Sequence, residues 1–304
     1  MNSLLTALVD SFREDFGFAP TSLMRLVAKH PEIAVPLPPQ ASDIYLRSVV
    51  AWQKIGTPQE LDLSHRPVGS LLGWKTVGSH YRESFTVQRS EFADLVTLKK
   101  VPNFTCDIRD VHGFAASRSN LEAFASTDEM VELNGRNLIA NISADALAAN
   151  LADPGIDITS STPSDYFVHH DWDGRLYLVN SDGSHHLSAA KYIAKRIRQS
   201  VPLTGRLHSY CLNMAAIESL RRDYAMFVIS DEPEIANGFG EAMRLFNATW
   251  LWHVMPPPYA NMRLILLPKN ERPSRQAGAV LRQAGCVDLG EYLLHHAMYP
   301  YAPR

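Results

Sequence analysis

The sequence predicts an α+β protein, a mixed sheet with helices. Three observations carry this. Short β-prone runs alternate with helical runs through the last third of the 304 residues, the rhythm of a fold with some parallel pairing. Residues 166–198 read as strand, turn, strand, turn and helix. Hydrophobic residues make up 46% and charged residues 20%, a composition that builds a core without staples.

Residues 1–30 read as one or two amphipathic helices, with Leu4, Leu5, Leu8 and Val9, then Leu23, Leu26 and Val27, at helical spacing. Pro31 to Gln40 is too proline-rich for a regular helix and reads as a linker or extended arm. Residues 41–125 alternate short apolar runs with Gly, Pro and Ser, giving strands and loops in no readable order. Asn137 to Ile142 is a β-like run. Ser143 N-caps a helix over Asp145 to Leu151, stopped by Asp153-Pro154-Gly155. Ile156 to Ser160 reads as a strand. Tyr166 to His170 is a strand, Asp173-Gly174 a turn, and Arg175 to Asn180 the hairpin partner. Asp182-Gly183 turns the chain into a helix from about His186 to Arg198, closed by Pro202. Strands follow at 207–212, 225–230, 249–255 and 262–267. Helices follow at 214–222, 234–246, 274–283 and 287–297. The chain divides into N-terminal helices with a proline-rich linker (1–40), a mixed α/β region (41–128) and an α/β core (129–304).

The formal net charge of −3 argues against a whole surface that grips nucleic acid. One dense basic patch exists: Lys191, Lys195, Arg196 and Arg198. It makes DNA a candidate partner through residues 191–198, although basic residues late in a helix also complement its dipole. The cysteines Cys106, Cys211 and Cys286 form no CxxC, so neither a disulfide framework nor a zinc knuckle is expected, and a reducing compartment is. The N-terminus lacks a cationic n-region, and no run of ~20 apolar residues occurs. These features predict a cytoplasmic protein with no membrane partner. No signature of oligomeric state is present.

The chemistry concentrates at residues 182–186. A helix N-terminus exposes N–H groups that favour an anion, and a glycine allows close backbone approach. Residues 137–200 resemble the ParB/sulfiredoxin-like nucleotide-binding fold. The likeness rests on the order short strand, short helix, β-hairpin. It also rests on Asp173-Gly174, Tyr177, Asp182-Gly183, His185, Ala189 and Ala190. It implies a ParB/sulfiredoxin-like β-hairpin–helix core with N-terminal helices and a C-terminal β/α extension. The resemblance makes Gly183 the close-approach glycine and places His185 at the family's histidine. Gly183, Ser184, His185 and Lys191 then bind a nucleotide, ATP or CTP with Mg²⁺, or a phosphorylated small molecule. His185, His186 and Asp182 are the catalytic candidates for a phosphotransferase or nuclease. Two departures matter. His186 stands where the family usually has arginine, and an imidazole offers fewer donors than a guanidinium. Ser184 stands where sulfiredoxins carry their catalytic cysteine, which argues against sulfinic-acid reduction.

Two other readings stay open. His169, His170 and Asp171, with Asp165 and His185 nearby, offer ligands for a transition metal in a metal-dependent hydrolase. Adjacent strand residues face opposite ways, so one of the two histidines would serve. Alternatively the protein is a non-enzymatic regulator that binds DNA or protein through the basic helix and the PLPPQ arm. Trp250 and Trp252 alternate along one strand, as a packing face or a base-stacking platform. His208 and Cys211, three apart on a strand, face opposite ways and form no dyad.

Overall fold

The computed structural model describes residues 19–39, 41–57, 67–78 and 81–301. The helix expected around Leu4 to Val9 lies outside them. The fold is mixed α+β, as the alternation of elements implies. The described residues form two compact units that interleave along the chain. One draws on the described residues within 1–38, 51–95 and 213–298, the other on those within 39–50, 96–212 and 299–304. Consecutive segments such as 1–40, 41–128 and 129–304 carry no trace of this crossing.

In the first unit, elements are numbered along the whole chain: α1 (Thr21–Lys29), β1 (Ser70–Val77), β2 (Tyr81–Gln88), α5 (Met214–Asp223), β8 (Tyr224–Ser230), α6 (Pro233–Leu245), β9 (Trp250–Val254), β10 (Met262–Pro268), α7 (Arg272–Gln283), β11 (Val287–Asp288) and α8 (Leu289–Met298). The strands form an antiparallel sheet in the order β11-β8-β10-β9-β1-β2. β8 and β10 are nearly continuous apolar runs, and almost every residue in them is buried. Ile235, Phe239 and Met243 of α6, Ala277 and Leu281 of α7 and Leu23 of α1 pack with Phe227, Ile229, Trp250 and Ile265. Gly238 in α6 has a packing reason. A Cβ there would meet Leu26 Cδ1 at 2.7 Å.

The second unit holds β3 (Val96–Asp107), β4 (Val111–Phe114), α2 (Thr127–Asn134), α3 (Ala144–Leu151), β5 (Tyr166–His170), β6 (Leu176–Val179), α4 (Ser184–Arg196) and β7 (Pro202–Leu212). Its sheet runs β3-β7-β5-β6-β4, with β5 parallel to β7 and β4 parallel to β6. The predicted hairpin is present, His169 pairing with Leu176 and Tyr166 with Val179. Leu187, Ala190, Ile193 and Ala194 of α4 pack into a core with Phe167, Leu176, Leu178 and Leu207. The apolar stripe of α4 is therefore what seats it on the sheet.

Two expected strands are 3₁₀ turns instead. Within Asn137 to Ile142 the chain forms a turn over Arg136–Ile139. The Leu138 carbonyl accepts from Asn150 Nδ2 at 3.1 Å rather than from a neighbouring strand. Within Ile156 to Ser160 the turn covers Asp157–Thr159. The Asp157 carboxylate accepts from the Ser164 N–H and hydroxyl and from the Ser160 hydroxyl. Such local side-chain bonds compete with a ladder. α4 also begins two residues earlier than expected, at Ser184. Among the described residues no helix is long and apolar enough to cross a membrane.

The expected cap of α3 is present, Ser143 Oγ accepting from the Ala146 N–H at 3.2 Å. Ser143→Ala should lower stability by about 1 kcal/mol, the usual worth of such a cap. Chemical denaturation reads this as a shifted midpoint at unchanged slope.

Candidate functional site

The Gly183 turn is present, and protein fills it. Gly183 has φ of +75° and caps α4 with no side-chain bond to the helix. A Cβ on it would lie 2.4 Å from the Gly155 carbonyl oxygen. The glycine is thus required by the passing 153–156 backbone. Ser184, 2% exposed, donates from its hydroxyl to Ser117 Oγ at 2.8 Å. His185 Nε2 lies 2.9 Å from Ser119 Oγ, and burial, then His186 and Arg118, push its pKa down. His186 sets Nδ1 3.1 Å from Asn150 Oδ1 and Nε2 3.2 Å from Asp153 Oδ2. It faces an acid rather than a basic pocket. Asp182 accepts from the Gly183 N–H at 2.9 Å and pairs with Arg118 at 3.3 Å. The turn brings Gly183, Ser184, His185, His186 and Asp182 together, each against another part of the second unit.

Lys191 lies elsewhere. Two turns along α4, it joins Arg109, Asp110, His112, Asp173, Arg175 and Tyr301 around a cavity of about 450 Å³. That volume is in the range of small-molecule sites. The cavity is built on the first hairpin turn. Asp173, whose side chain is 0% exposed, accepts from Arg175 Nε at 2.9 Å and Nη2 at 2.6 Å and from the Arg175 N–H at 3.1 Å. Arg175 Nη1 donates to the carbonyls of Ala41 at 2.7 Å and Asp43 at 3.2 Å, and lies 3.3 Å from His112 Nε2. One guanidinium therefore ties three stretches of chain together. Gly174, with φ of +82°, leaves room for Tyr301, whose Cβ a side chain there would meet at 2.6 Å. The Tyr301 N–H donates to the Asp171 carbonyl at 2.7 Å.

The electrostatics single out the lysine. Arg109 is held by Asp107 at 2.7 Å and Arg175 by Asp173. Lys191 Nζ donates to the Val111 carbonyl at 2.5 Å and makes no ion pair among the described residues. Burial pushes its pKa down to about 8. Burial and the Arg175 guanidinium hold His112 below the ordinary histidine value.

The other candidates disperse. His169 Nδ1 lies 3.4 Å from Ser209 Oγ. His170 is buried and stacks on Tyr210 at 5.1 Å, burial holding its pKa down at about 4. Asp171 Oδ2 accepts from the Leu212 N–H at 3.0 Å. Among the described residues no group of three or more His, Cys, Asp or Glu side chains is arranged to hold a metal ion. On the basic helix, Lys195 and Arg196 pair with Asp128 at 3.3 and 3.6 Å, and Arg196 reaches Glu132 at 3.4 Å. Much of its charge is met within the unit.

His112, Arg175 and Arg109 were not foreseen. Arg175 follows Asp173-Gly174 directly, so an Asp-x-Arg step inside a hairpin turn was a readable signal. His112 comes from a strand 63 residues earlier, and no spacing rule links the two.

A family model described as a family of unknown function (DUF6685) matches residues 101–298. No curated protein and no solved structure matches the chain.

Gly183→Ala should destabilise the fold by roughly 1–3 kcal/mol, through left-handed strain and the Gly155 clash. Thermal unfolding without any ligand checks this. A neutral result would mean the turn is open. Burial, opposed by the Leu212 N–H, raises the Asp171 pKa to about 6. Between the ordinary aspartate pKa of about 3.9 and that value, the folded state keeps a proton that the unfolded state releases. This residue's contribution to stability therefore falls as pH rises through that window. Asp171→Asn should flatten that slope in denaturation midpoints, and an unchanged slope contradicts the assignment.

Proposed function

The chain belongs to the family of unknown function DUF6685, and for it we propose a phosphate-centred role: binding a nucleotide or phosphorylated small molecule in the Lys191 cavity of the second unit. The observation that carries this reading is Lys191. Withdrawing an ammonium from water costs free energy unless it is paired, and this half-buried one has a single carbonyl partner at 2.5 Å. It carries three N–H donors, so two are left for a ligand. A phosphate oxygen in the cavity would supply the missing opposite charge.

The surroundings fit that role. Arg175, fixed by Asp173 and two carbonyls, gives the cavity a rigid wall, and preorganisation of this kind lowers the cost of binding. His112, whose pKa is held low, is the cavity group suited to accept a proton. Asp110 makes no ion pair among the described residues, which supports taking the nucleotide as its Mg²⁺ complex. The site reading thus keeps the ligand class suggested at Gly183 and moves it along α4 to the first hairpin turn.

Calorimetric titration with ATP, CTP, ADP and inorganic phosphate, with and without Mg²⁺, tests the reading. At least one should bind. Lys191→Met should weaken it by about tenfold or more, the worth of one charge-assisted hydrogen bond. His185→Ala with His186→Ala should leave it within about twofold. Affinity should fall as pH rises past about 8, where the free lysine loses its proton. No heat with any ligand, or a loss confined to the histidine variant, refutes the reading.

A further inference from the structure

The first unit holds a second built pocket, and its centre is an arginine with no carboxylate. Arg82 lies on the edge strand β2, with its guanidinium carbon 4.0 Å from the Trp74 ring centre and 4.7 Å from that of Trp250. The two indoles are themselves stacked at 6.5 Å and 29°. β1 and β9 set this up, because Trp74 and Trp250 are directly paired across the sheet. Arg82 Nε is buried with no hydrogen-bond partner, and the side chain makes no ion pair among the described residues. The acid nearest in effect is Glu241, and it is already held by Arg244 at 2.9 Å and 2.5 Å.

The rest of the pocket repeats the theme with one difference. Arg263 covers Trp252 at 4.1 Å but has an acid, Asp231, at 2.5 Å. Two arginines thus lie on indole faces in one pocket, one neutralised and one not. The remaining walls are Phe239, Ile229 and Ile265, with Asn237 of α6 on the exposed rim. Gly240 brings α6 close to Arg82: a Cβ there would stand in ordinary contact with Nη1, at 3.4 Å. This is the second glycine that interrupts the α6 pattern. The pocket encloses about 180 Å³, below the ~300–1,000 Å³ of drug-sized sites. It suits a single ring or a short chain rather than a nucleotide.

We propose that this pocket binds a small hydrophobic carboxylate, its apolar body against the indoles and its carboxylate on Arg82. A guanidinium presents donors in a planar fork that matches a carboxylate in two-point contact. Cation–π contact fixes the plane of Arg82 and leaves its edge, where the donors lie, as the part a ligand engages. Three tryptophans give the apolar body a large contact area. The site is independent of the Lys191 cavity, shares no residue with it, and selects a carboxylate on an apolar body rather than a phosphate.

Titration of the full chain with benzoate, and in parallel with the uncharged isostere benzamide and with inorganic phosphate, tests the proposal. Tryptophan fluorescence and calorimetry are the readouts. Benzoate should bind, and benzamide at least about tenfold more weakly. Arg82→Gln should abolish the preference. Asn237→Asp, on the exposed rim where folding is not at stake, should weaken benzoate and leave benzamide unchanged. Equal binding of benzoate and benzamide, no binding of either, phosphate competing at this site, or indifference to Asn237→Asp overturns the proposal.

Discussion

The Asp173–Arg175 ion pair is the constraint on which the second unit's cavity depends. The carboxylate is fully buried and accepts from its own turn, and the guanidinium then reaches the carbonyls of Ala41 and Asp43 and the edge of His112. A buried charge pair is weak evidence of net stability, but breaking it leaves an uncompensated charge, which costs several kcal/mol. Its role is registry. It fixes the turn between β5 and β6, holds residues 41–43 against that turn, and sets one wall of the space into which Lys191 projects.

Helix α4 links the turn to which the sequence points and the cavity that Lys191 lines. Its N-terminus is closed by the Gly155 backbone and by Ser117. Its apolar stripe is spent on the core. Lys191 is left on the remaining face, beside Val111 and the cavity. The same helix thus carries a sealed turn and an unsatisfied ammonium about two turns apart. Burial there outweighs the opposing pull of Asp128 and Asp110, and the lysine pKa falls as a result.

Much of the fold was legible because it is written in short-range patterns. The hairpin, α4, and the β/α run after Leu207 follow from periodicity and turn residues. Asn137 to Ile142 and Ile156 to Ser160 misled because their apolar side chains resemble strands. Asn150 and Asp157 bond the backbone there and favour tight turns instead. The candidate site was half legible. Gly183 was read as a ligand contact when its reason is a neighbouring backbone, a distinction that sequence does not encode. The sequence groups Lys191 with that turn, whereas it lines the cavity at the first hairpin turn. His112 and Arg82 meet their partners only through long-range pairing, Arg82 between tryptophans on β1 and β9, and no local pattern announces such contacts.

Lys191 is on this account a half-buried ammonium with no ion pair among the described residues, and a phosphate would complete it. Nuclear magnetic resonance of lysine side chains labelled at Cε, followed through pH with and without phosphate ligand, tests it most directly. One resonance, lost in Lys191→Met, should titrate near pH 8 and shift to higher pH when ligand is added. A Lys191 resonance that titrates near the ordinary lysine value of about 10.4, or that titrates low and ignores the ligand, would contradict the account.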